Sequence, residues 1–182
     1  IEENQSYTIK DQYTVRSLPS SHVVSGDSVK ALGYILEQSR RKLRSEYQGL
    51  PGKEIAHKKQ ALGEDAVTAE IVDRLVGYSG DAPSLDPTDW QGVKILFHEA
   101  TFLDPETNKG NHANLPQVVQ AASEMKLEAL VLFHFSSRYK PEEIAKKIKD
   151  CASTHAPSFP IYAIMPCVVY EDVLNQEPVW SP

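Results

Sequence analysis

The sequence Val-Leu-Phe-His-Phe-Ser-Ser-Arg-Tyr, residues 131–139, joins a buried strand to a polar strand end. The apolar run at residues 130–133 is typical of a strand buried in a sheet, and the polarity changes abruptly at His134. Loops at the rim of a sheet collect functional groups, so this histidine is a candidate ligand or catalyst. For this stretch alone, a histidine that makes only structural hydrogen bonds is the alternative interpretation.

Two other stretches end in the same way. Val-Lys-Ile-Leu-Phe-His-Glu-Ala-Thr-Phe, residues 93–102, is an apolar strand that runs into His98 and Glu99. Leu-Val-Gly-Tyr-Ser-Gly-Asp, residues 75–81, ends on Asp81, and the glycine before it permits a tight turn. Three strand ends with polar side chains favour a functional site over isolated structural histidines.

From residue 93 onward, strand patterns alternate with helical patterns. Strands are predicted at residues 93–97, 128–133 and 161–165, and helices at residues 115–125 and 142–151. This order predicts βαβ units, with helices packed on a parallel or mixed sheet. We expect an α/β fold with a mixed sheet and flanking helices, in a single domain of residues 1–182. The tail at residues 170–182 is expected to be extended and loosely held.

The first third of the chain contains two further predicted strands and a basic segment. The strands are at residues 13–18 and 31–36, and a break at residues 19–22 predicts that His22 lies in a loop. Residues 40–59 carry a net charge of about +5, whereas the whole chain carries −6. This asymmetry favours a localised contact with a polyanion, and a solvated helix face is the alternative.

The composition is that of an ordinary globular protein: 182 residues, 41% hydrophobic and 24% charged. No apolar run approaches the roughly 18 residues of a membrane span, and no signal peptide is recognisable. Two cysteines do not make a disulfide framework, which predicts reduced thiols in a cytoplasmic protein. Because the chain starts at Ile1 without a methionine, we expect a fragment or a processed product.

The motifs Gly-Asp, His-Glu-Ala-Thr-Phe and His-Phe-Ser-x-Arg-Tyr, in that order, resemble the C-terminal half of the metallo-β-lactamase superfamily. The branch most similar to them is ribonuclease Z, which processes the 3′ end of tRNA. The resemblance covers about residues 13–144 and implies half of an αββα sandwich, or an incomplete one. The main metal-binding motif of the family, His-x-His-x-Asp-His, is absent from the sequence.

The resemblance implies a metal site. In this family the Gly-Asp carboxylate bridges two zinc ions, which assigns that role to Asp81. It further implies that His22 binds the first ion and His134 the second. Manganese or iron are alternatives to zinc. The remaining ligands belong to the missing motif, so these three residues would bind zinc weakly without it.

The implied reaction is metal-assisted hydrolysis of a phosphodiester, in which a general acid protonates the leaving oxygen. His112 corresponds to the histidine of the family's His-Ser-Thr motif and is the implied acid, although Ala113 and Asn114 replace the serine and threonine. The family's base belongs to the missing motif. Glu99 is expected to orient a histidine by a hydrogen bond. A core carboxylate satisfied by backbone donors is the alternative for Glu99.

Substrate contacts are predicted in two places. Ser136 and Arg138 follow His134 and can bind a phosphate oxygen, and structural hydrogen bonding of their loop is the alternative. The basic segment resembles an arm-like insertion, at about residues 38–62, that grips tRNA in ribonuclease Z. Its predicted contacts with a tRNA precursor are Arg40, Arg41 and Lys42. The arm's usual Gly-Pro pair is replaced by Pro-Gly at residues 51–52.

Three functions remain open from the sequence. The first is a zinc-dependent endoribonuclease that needs an N-terminal half, because half a sandwich leaves an apolar sheet face that a second polypeptide or a homodimer must cover. The second is a non-catalytic RNA-binding or scaffold relic of the same fold. The third is another metal-dependent hydrolase of the superfamily, such as an arylsulfatase or a cyclic-nucleotide phosphodiesterase. None of the three predicts a membrane partner.

Overall fold

A computed structural model describes residues 2–23, 30–105 and 111–182, without the side chains of residues 21–23 and 30. These residues form a mixed sheet of seven strands, which lie side by side in sequence order. The pairs β1–β2, β2–β3 and β3–β4 are antiparallel, and the strands from β4 to β7 run parallel to one another. The strands are β1 (Ser6–Lys10), β2 (Tyr13–Val23), β3 (Lys30–Leu43), β4 (Thr68–Tyr78), β5 (Val93–Glu99), β6 (Ala129–Phe133) and β7 (Ile161–Ala163).

Two helices connect the parallel strands. The described helices are α1 (Gly52–Leu62), α2 (Glu64–Val67), α3 (Leu115–Ser123) and α4 (Pro141–His155). Helix α3 joins β5 to β6, and α4 joins β6 to β7, as predicted from the alternating pattern. Within the described ranges, no helix combines the length and apolarity needed to cross a bilayer. The α/β class with a mixed sheet and flanking helices is therefore confirmed.

The core lies between α3, α4 and one face of the sheet. Leu96, Leu130 and Leu132 contribute from the strands and are fully buried. Ile144 and Ile148, one turn apart on α4, are also fully buried. Burying one such side chain is worth roughly 1.5–3 kcal/mol, so this interface holds the parallel strands in register.

The opposite face of the sheet carries an apolar row. The row consists of residues paired in register across five strands: Tyr34, Tyr78, Phe97, Val131 and Tyr162. Only Val131 of this row is buried, and Tyr78 is 44% exposed. The ring of Tyr78 stacks on Phe133 at 5.0 Å between centroids. This face is therefore apolar and partly open.

The expected loop at residues 19–22 is wrong, because β2 continues to Val23. Pro19 pairs with Leu32, and the register with β3 shifts between Pro19 and Val23. A proline lacks the backbone donor that a regular ladder needs, and strands tolerate it at such irregularities. The backbone of His22 is thus extended, and its side chain lies outside the described residues.

The basic segment forms the outer part of a long β3–β4 hairpin, with α1 and α2 between the strands. Arg40 pairs with Ile71 across this hairpin. The guanidinium of Arg40 lies 2.5 Å from Asp73, and that of Arg41 contacts Asp65 and the Thr68 hydroxyl. Helix α1 has no buried residue. The single-domain organisation with an insertion at residues 38–62 stays a prediction.

The C-terminal tail is attached to the sheet, so the expectation that it is loosely held is wrong. The backbone of Trp180 forms an antiparallel bridge with Ile161, in which Ile161 N donates to Trp180 O at 2.9 Å. The side chains of Val179 and Trp180 pack against the core. The prolines at positions 178 and 182 flank this bridge and do not interrupt it.

Candidate metal centre

Four side chains converge at the carboxyl ends of the parallel strands. Asp81, Glu99, His112 and His134 each offer one ligand atom, and these atoms all lie within 4.8 Å of one another. Asp81 follows β4, Glu99 ends β5 and His134 follows β6, whereas His112 lies just before α3. The carboxyl ends of parallel strands meet at one edge of a sheet, and ligands bind there in open α/β folds.

Gly80 positions Asp81 by a turn that other residues do not accept. Its φ is +58°, and a Cβ at this position would lie 2.6 Å from the carbonyl oxygen of Leu32. The Ser20 hydroxyl donates to the backbone carbonyl of Asp81 at 2.6 Å, which ties the turn to β2. The Asp81 carboxylate therefore leaves β4 towards His134, whose Nε2 lies 3.7 Å from Oδ1.

His134 marks the abrupt end of β6. Its φ is +64°, in the left-handed region that non-glycine residues seldom adopt and that histidine adopts more readily than most. The chain therefore turns sharply after Phe133. Its side chain remains 44% exposed, and its ring centroid lies 5.2 Å from that of His112. The two imidazoles thus face a common space that solvent reaches.

Glu99 is the buried centre of the cluster, with no exposed surface. Its Oε1 accepts hydrogen bonds from Ala82 N at 2.7 Å and from His112 Nδ1 at 2.9 Å. Its Oε2 accepts from the Thr101 hydroxyl at 2.5 Å and from Ala113 N at 3.3 Å. Glu99 therefore makes the contacts of both interpretations at once: its carboxylate accepts hydrogen bonds from backbone donors and from a histidine.

Two departures from the family's motifs, Ala113 and Asn114, leave the local contacts intact. Ala113 stands where the resemblance implies a serine, but it donates to Glu99 through its backbone. A side-chain replacement does not remove a backbone donor. Asn114 caps helix α3, since its Oδ1 accepts from Gln117 N at 3.1 Å. Asparagine is at least as good as threonine at a helix N-cap.

Ser136 and Arg138 lie in the turn that follows His134. Ser136 N donates to the carbonyl of Thr101 at 3.0 Å, which joins this turn to the end of β5. Arg138 Nε donates to the Ser136 hydroxyl at 3.0 Å, and its guanidinium lies 5.4 Å from the Phe102 ring centroid. Both residues thus contact the segment that follows β5, and their predicted phosphate contact stays a prediction.

The arm residues lie elsewhere. Leu32 contacts the Gly80 turn, and Arg40 is eight residues further along the same strand. At about 3.3 Å per residue, this spacing places Arg40 roughly 26 Å along the strand from the Gly80 turn, and Arg41 and Lys42 lie still further away. The structure therefore does not bring the arm residues together with the predicted metal ligands.

His98 is the histidine that points into the core beside the site. It is fully buried, and its Nδ1 lies 2.7 Å from the carbonyl of Glu99. Burial lowers the pKa of His98, and hydrogen bonding to the backbone at Glu99 and Ser84 opposes that shift in part. A buried imidazole with a lowered pKa is neutral at pH 7, so His98 has the environment of a structural histidine.

The donor set fits a borderline divalent cation. Imidazole nitrogens and carboxylate oxygens are ligands that zinc, manganese and iron accept in proteins. Asp81, His112 and His134 point such atoms towards the common space. Glu99 already accepts four hydrogen bonds, so it suits the orientation of a histidine better than ligation. The described part of the chain supplies fewer donors than two ions require.

Thr101 is a residue of the site that the sequence analysis did not single out. Its hydroxyl lies 2.8 Å from His134 Nδ1 and also contacts Glu99. The signal was present in the His-Glu-Ala-Thr-Phe motif. Side chains two positions apart in an extended segment point to the same side, so Thr101 shares the side of Glu99.

Comparison of the sequence with curated proteins identifies relatives of the chain. The chain is 30% identical over 154 residues to "tRNase Z TRZ2, chloroplastic" from Arabidopsis thaliana, across 79% of this chain and 42% of that protein. It is 29% identical over 163 residues to "tRNase Z TRZ1" from the same plant, across 84% of this chain and 54% of that protein. No family model matches the chain.

A solved structure supports the fold. The metallo-beta-lactamase fold protein YhfI from Bacillus subtilis superposes with a TM-score of 0.55 at 15% sequence identity, across 94% of this chain and 54% of that one. At this identity the likeness establishes the fold alone. With the tRNase Z relatives, the chain is a ribonuclease Z-like protein of the metallo-β-lactamase superfamily, and it spans about half the length of the curated relatives it matches.

Proposed function

We propose that the chain forms part of a zinc-dependent endoribonuclease that removes the 3′ extension of tRNA precursors. The observation that carries this proposal is the convergence of Asp81, His112 and His134 around the buried carboxylate of Glu99. Relatives named tRNase Z support tRNA as the substrate class. Manganese or iron are alternatives to zinc, because the donor set suits all three.

The chain's own residues have distinct roles in this proposal. Asp81 and His134 hold the metal, together with His22. Metal ions held by these residues would activate a water molecule and offset the negative charge on the phosphate. His112 protonates the leaving oxygen, and Glu99 fixes its orientation through Nδ1. Ser136 and Arg138 bind a phosphate oxygen beside the cluster.

The proposal includes a second half of the enzyme, packed on the open face of the sheet. The apolar row from Tyr34 to Tyr162 is partly exposed, and the chain spans about half of its curated relatives. Covering this face would bury aromatic side chains and bring in the missing metal ligands. We propose an N-terminal half of the same sandwich as the occupant. A homodimer is the competing outcome, and size-exclusion chromatography of the chain, with and without that half, distinguishes them.

The basic arm is the proposed RNA contact away from the metal. Arg40, Arg41 and Lys42 are its predicted contacts, and the first two form ion pairs with Asp73 and Asp65. These pairs reduce the free charge of the arginines, so the exposed lysines carry more of the proposed attraction.

A cytoplasmic location also stays a prediction, since one relative is named chloroplastic.

Metal analysis of the purified chain tests the proposal. The chain is incubated with Zn²⁺ as the only added metal, once with the N-terminal half and once without it. Bound zinc is then counted by mass spectrometry. We expect about two ions per complete assembly and their loss in the Asp81→Ala variant. Asp86→Ala is the matched control, because Asp86 binds the backbone and hydroxyl of Thr88 outside the cluster.

Cleavage of a tRNA precursor provides the second measurement. The complete assembly should cut at the tRNA 3′ end, and His112→Ala should slow the reaction by about 10²–10⁴-fold, as expected for loss of a general acid. An assembly that binds no metal but still binds the precursor would support the non-catalytic relic instead. Cleavage of small phosphodiesters in the absence of tRNA cleavage would support another hydrolase of the superfamily.

A further inference from the structure

The Thr101 hydroxyl lies between the carboxylate of Glu99 and the imidazole of His134. Its Oγ1 is 2.5 Å from Glu99 Oε2 and 2.8 Å from His134 Nδ1. Thr101 is 8% exposed, so water does not compete freely for these contacts. The same residue accepts a backbone hydrogen bond from Ser136, which joins it to the turn after His134.

The direction of these hydrogen bonds follows from counting donors. A threonine hydroxyl has one hydrogen and two lone pairs. Glu99 already accepts from two backbone amides and from His112, and a carboxylate has acceptor oxygens but no hydrogen to donate. The Thr101 hydrogen therefore points to Glu99, and one of its lone pairs faces His134. The contact with His134 then requires a hydrogen on Nδ1.

A hydrogen on Nδ1 leaves the other nitrogen of the neutral ring free to act as a ligand. Nε2 of His134 is the atom that faces Asp81, at 3.7 Å from Oδ1. Its lone pair is therefore directed towards the carboxylate that the proposed function assigns to the metal. The opposite tautomer would place a hydrogen at that point and exclude a cation from His134.

We propose that Thr101 is a positioning residue that fixes His134 in the Nδ1–H tautomer and thereby makes Nε2 a metal ligand. The tautomer can be tested in the metal-free chain, whereas the ligand role rests on the proposed function. Glu99 orients His112 directly and His134 through Thr101, so one buried carboxylate sets both imidazoles. Partners of this kind typically change metal affinity by about 10- to 100-fold.

The tautomer is measured by long-range ¹H–¹⁵N NMR correlation of the histidine rings in the metal-free chain, with a His134→Gln variant for assignment. We expect the Nδ1–H form of His134 in the wild-type chain and in Thr101→Ser, which keeps the hydroxyl. Thr101→Val keeps the shape and the backbone but removes the acceptor, so the ring should shift towards the Nε2–H form. Thr68→Val is the matched control, because Thr68 is also a buried threonine, 4% exposed, in the arm hairpin.

Two results of this measurement would overturn the proposal: the Nε2–H form in the wild-type chain, or an unchanged Nδ1–H form in Thr101→Val. Circular dichroism and thermal unfolding establish that each variant is folded. If Thr101→Val does not fold, Thr101→Ala removes the same acceptor with less crowding, and the wild-type tautomer remains decisive by itself.

Zinc affinity, measured by calorimetry with Zn²⁺ alone, completes the test. Thr101→Val should bind about 10- to 100-fold more weakly than the wild-type chain, and Thr101→Ser should restore most of the affinity. Equal affinities for Val and wild type would overturn the role of Thr101 in ligation. Absence of binding in the wild-type chain and in its complete assembly would instead contradict the proposed function, and the tautomer result would still decide whether Thr101 orients His134.

Discussion

Nδ1 of His112 donates a hydrogen bond to Oε1 of Glu99 at 2.9 Å, and Glu99 has no exposed surface. The side chain of His112 is a quarter exposed, so this hydrogen bond links a buried carboxylate to a histidine that solvent reaches. A buried carboxylate must be surrounded by donors, and here those donors come from four different residues. The position of the proposed acid therefore depends on the packing of the sheet beneath it.

Glu99→Gln should destabilise the fold by roughly 1–3 kcal/mol. The amide has one acceptor oxygen in place of two, so some of the four donors lose their partner in a buried place. The free energy of unfolding in urea measures the effect. Glu142→Gln is the control, because Glu142 is exposed in the first turn of α4, and its effect should stay within about 0.5 kcal/mol. Equal effects of the two substitutions would contradict the central role of Glu99.

Gly80→Ala should cost more stability than Gly63→Ala. Both glycines have positive φ, +58° and +87°, and an alanine in such a backbone conformation is strained by about 1–3 kcal/mol. A Cβ at Gly80 would also meet the Leu32 carbonyl at 2.6 Å, whereas nothing lies within 4 Å of a Cβ at Gly63. Thermal unfolding compares the two variants. Gly80→Ala should in addition weaken zinc binding by displacing Asp81. Unchanged zinc binding would contradict the claim that this turn positions Asp81 in the metal site.

The arm prediction concerns RNA affinity and its salt dependence. Replacing the exposed Lys42 and Lys53 by alanine should weaken binding of a tRNA precursor and lower the slope of log K against log salt by about 0.7–0.9 per lost phosphate contact. Fluorescence anisotropy at several salt concentrations measures both quantities. Alanine at Lys146 and Lys149, two exposed lysines of α4, removes the same charge outside the arm and should have a smaller effect. Equal losses of RNA affinity in the two double variants would show that the net charge of the chain, and not the arm, determines binding.

Alkaline pH should destabilise the protein through Cys151. Burial raises the pKa of this thiol above its ordinary value. The unfolded chain then loses the thiol proton first, so stability is full below about pH 8.5 and falls as the pH rises towards the folded-state pKa. Urea unfolding between pH 7 and pH 10 measures this fall. Cys151→Ala should remove the part of this fall in stability that depends on the thiol. Cys167→Ser, a substitution at an exposed position, should leave the fall unchanged.

Much of the fold was predictable because its signals are local. The parallel strands β5 and β6 follow from apolar runs with abrupt ends, and α3 and α4 follow from apolar residues at helical spacing. The path of β2 through Pro19 and the anchoring of Trp180 were not predictable in this way. Both depend on pairing with a distant segment, Leu32 for one and Ile161 for the other, and local propensity carries no information on that pairing.

The sequence by itself determined which residue types end the strands: a carboxylate at position 81, a histidine and glutamate at 98–99, and a histidine at 134. Only the tertiary structure decided their roles. It turned His98 into the core, placed Glu99 beneath His112, and inserted Thr101 between Glu99 and His134. The physical reason is that hydrogen bonds and metal coordination act only over a few ångströms, and only the packed sheet brings the ligand atoms of residues 81, 99, 112 and 134 within 4.8 Å of one another.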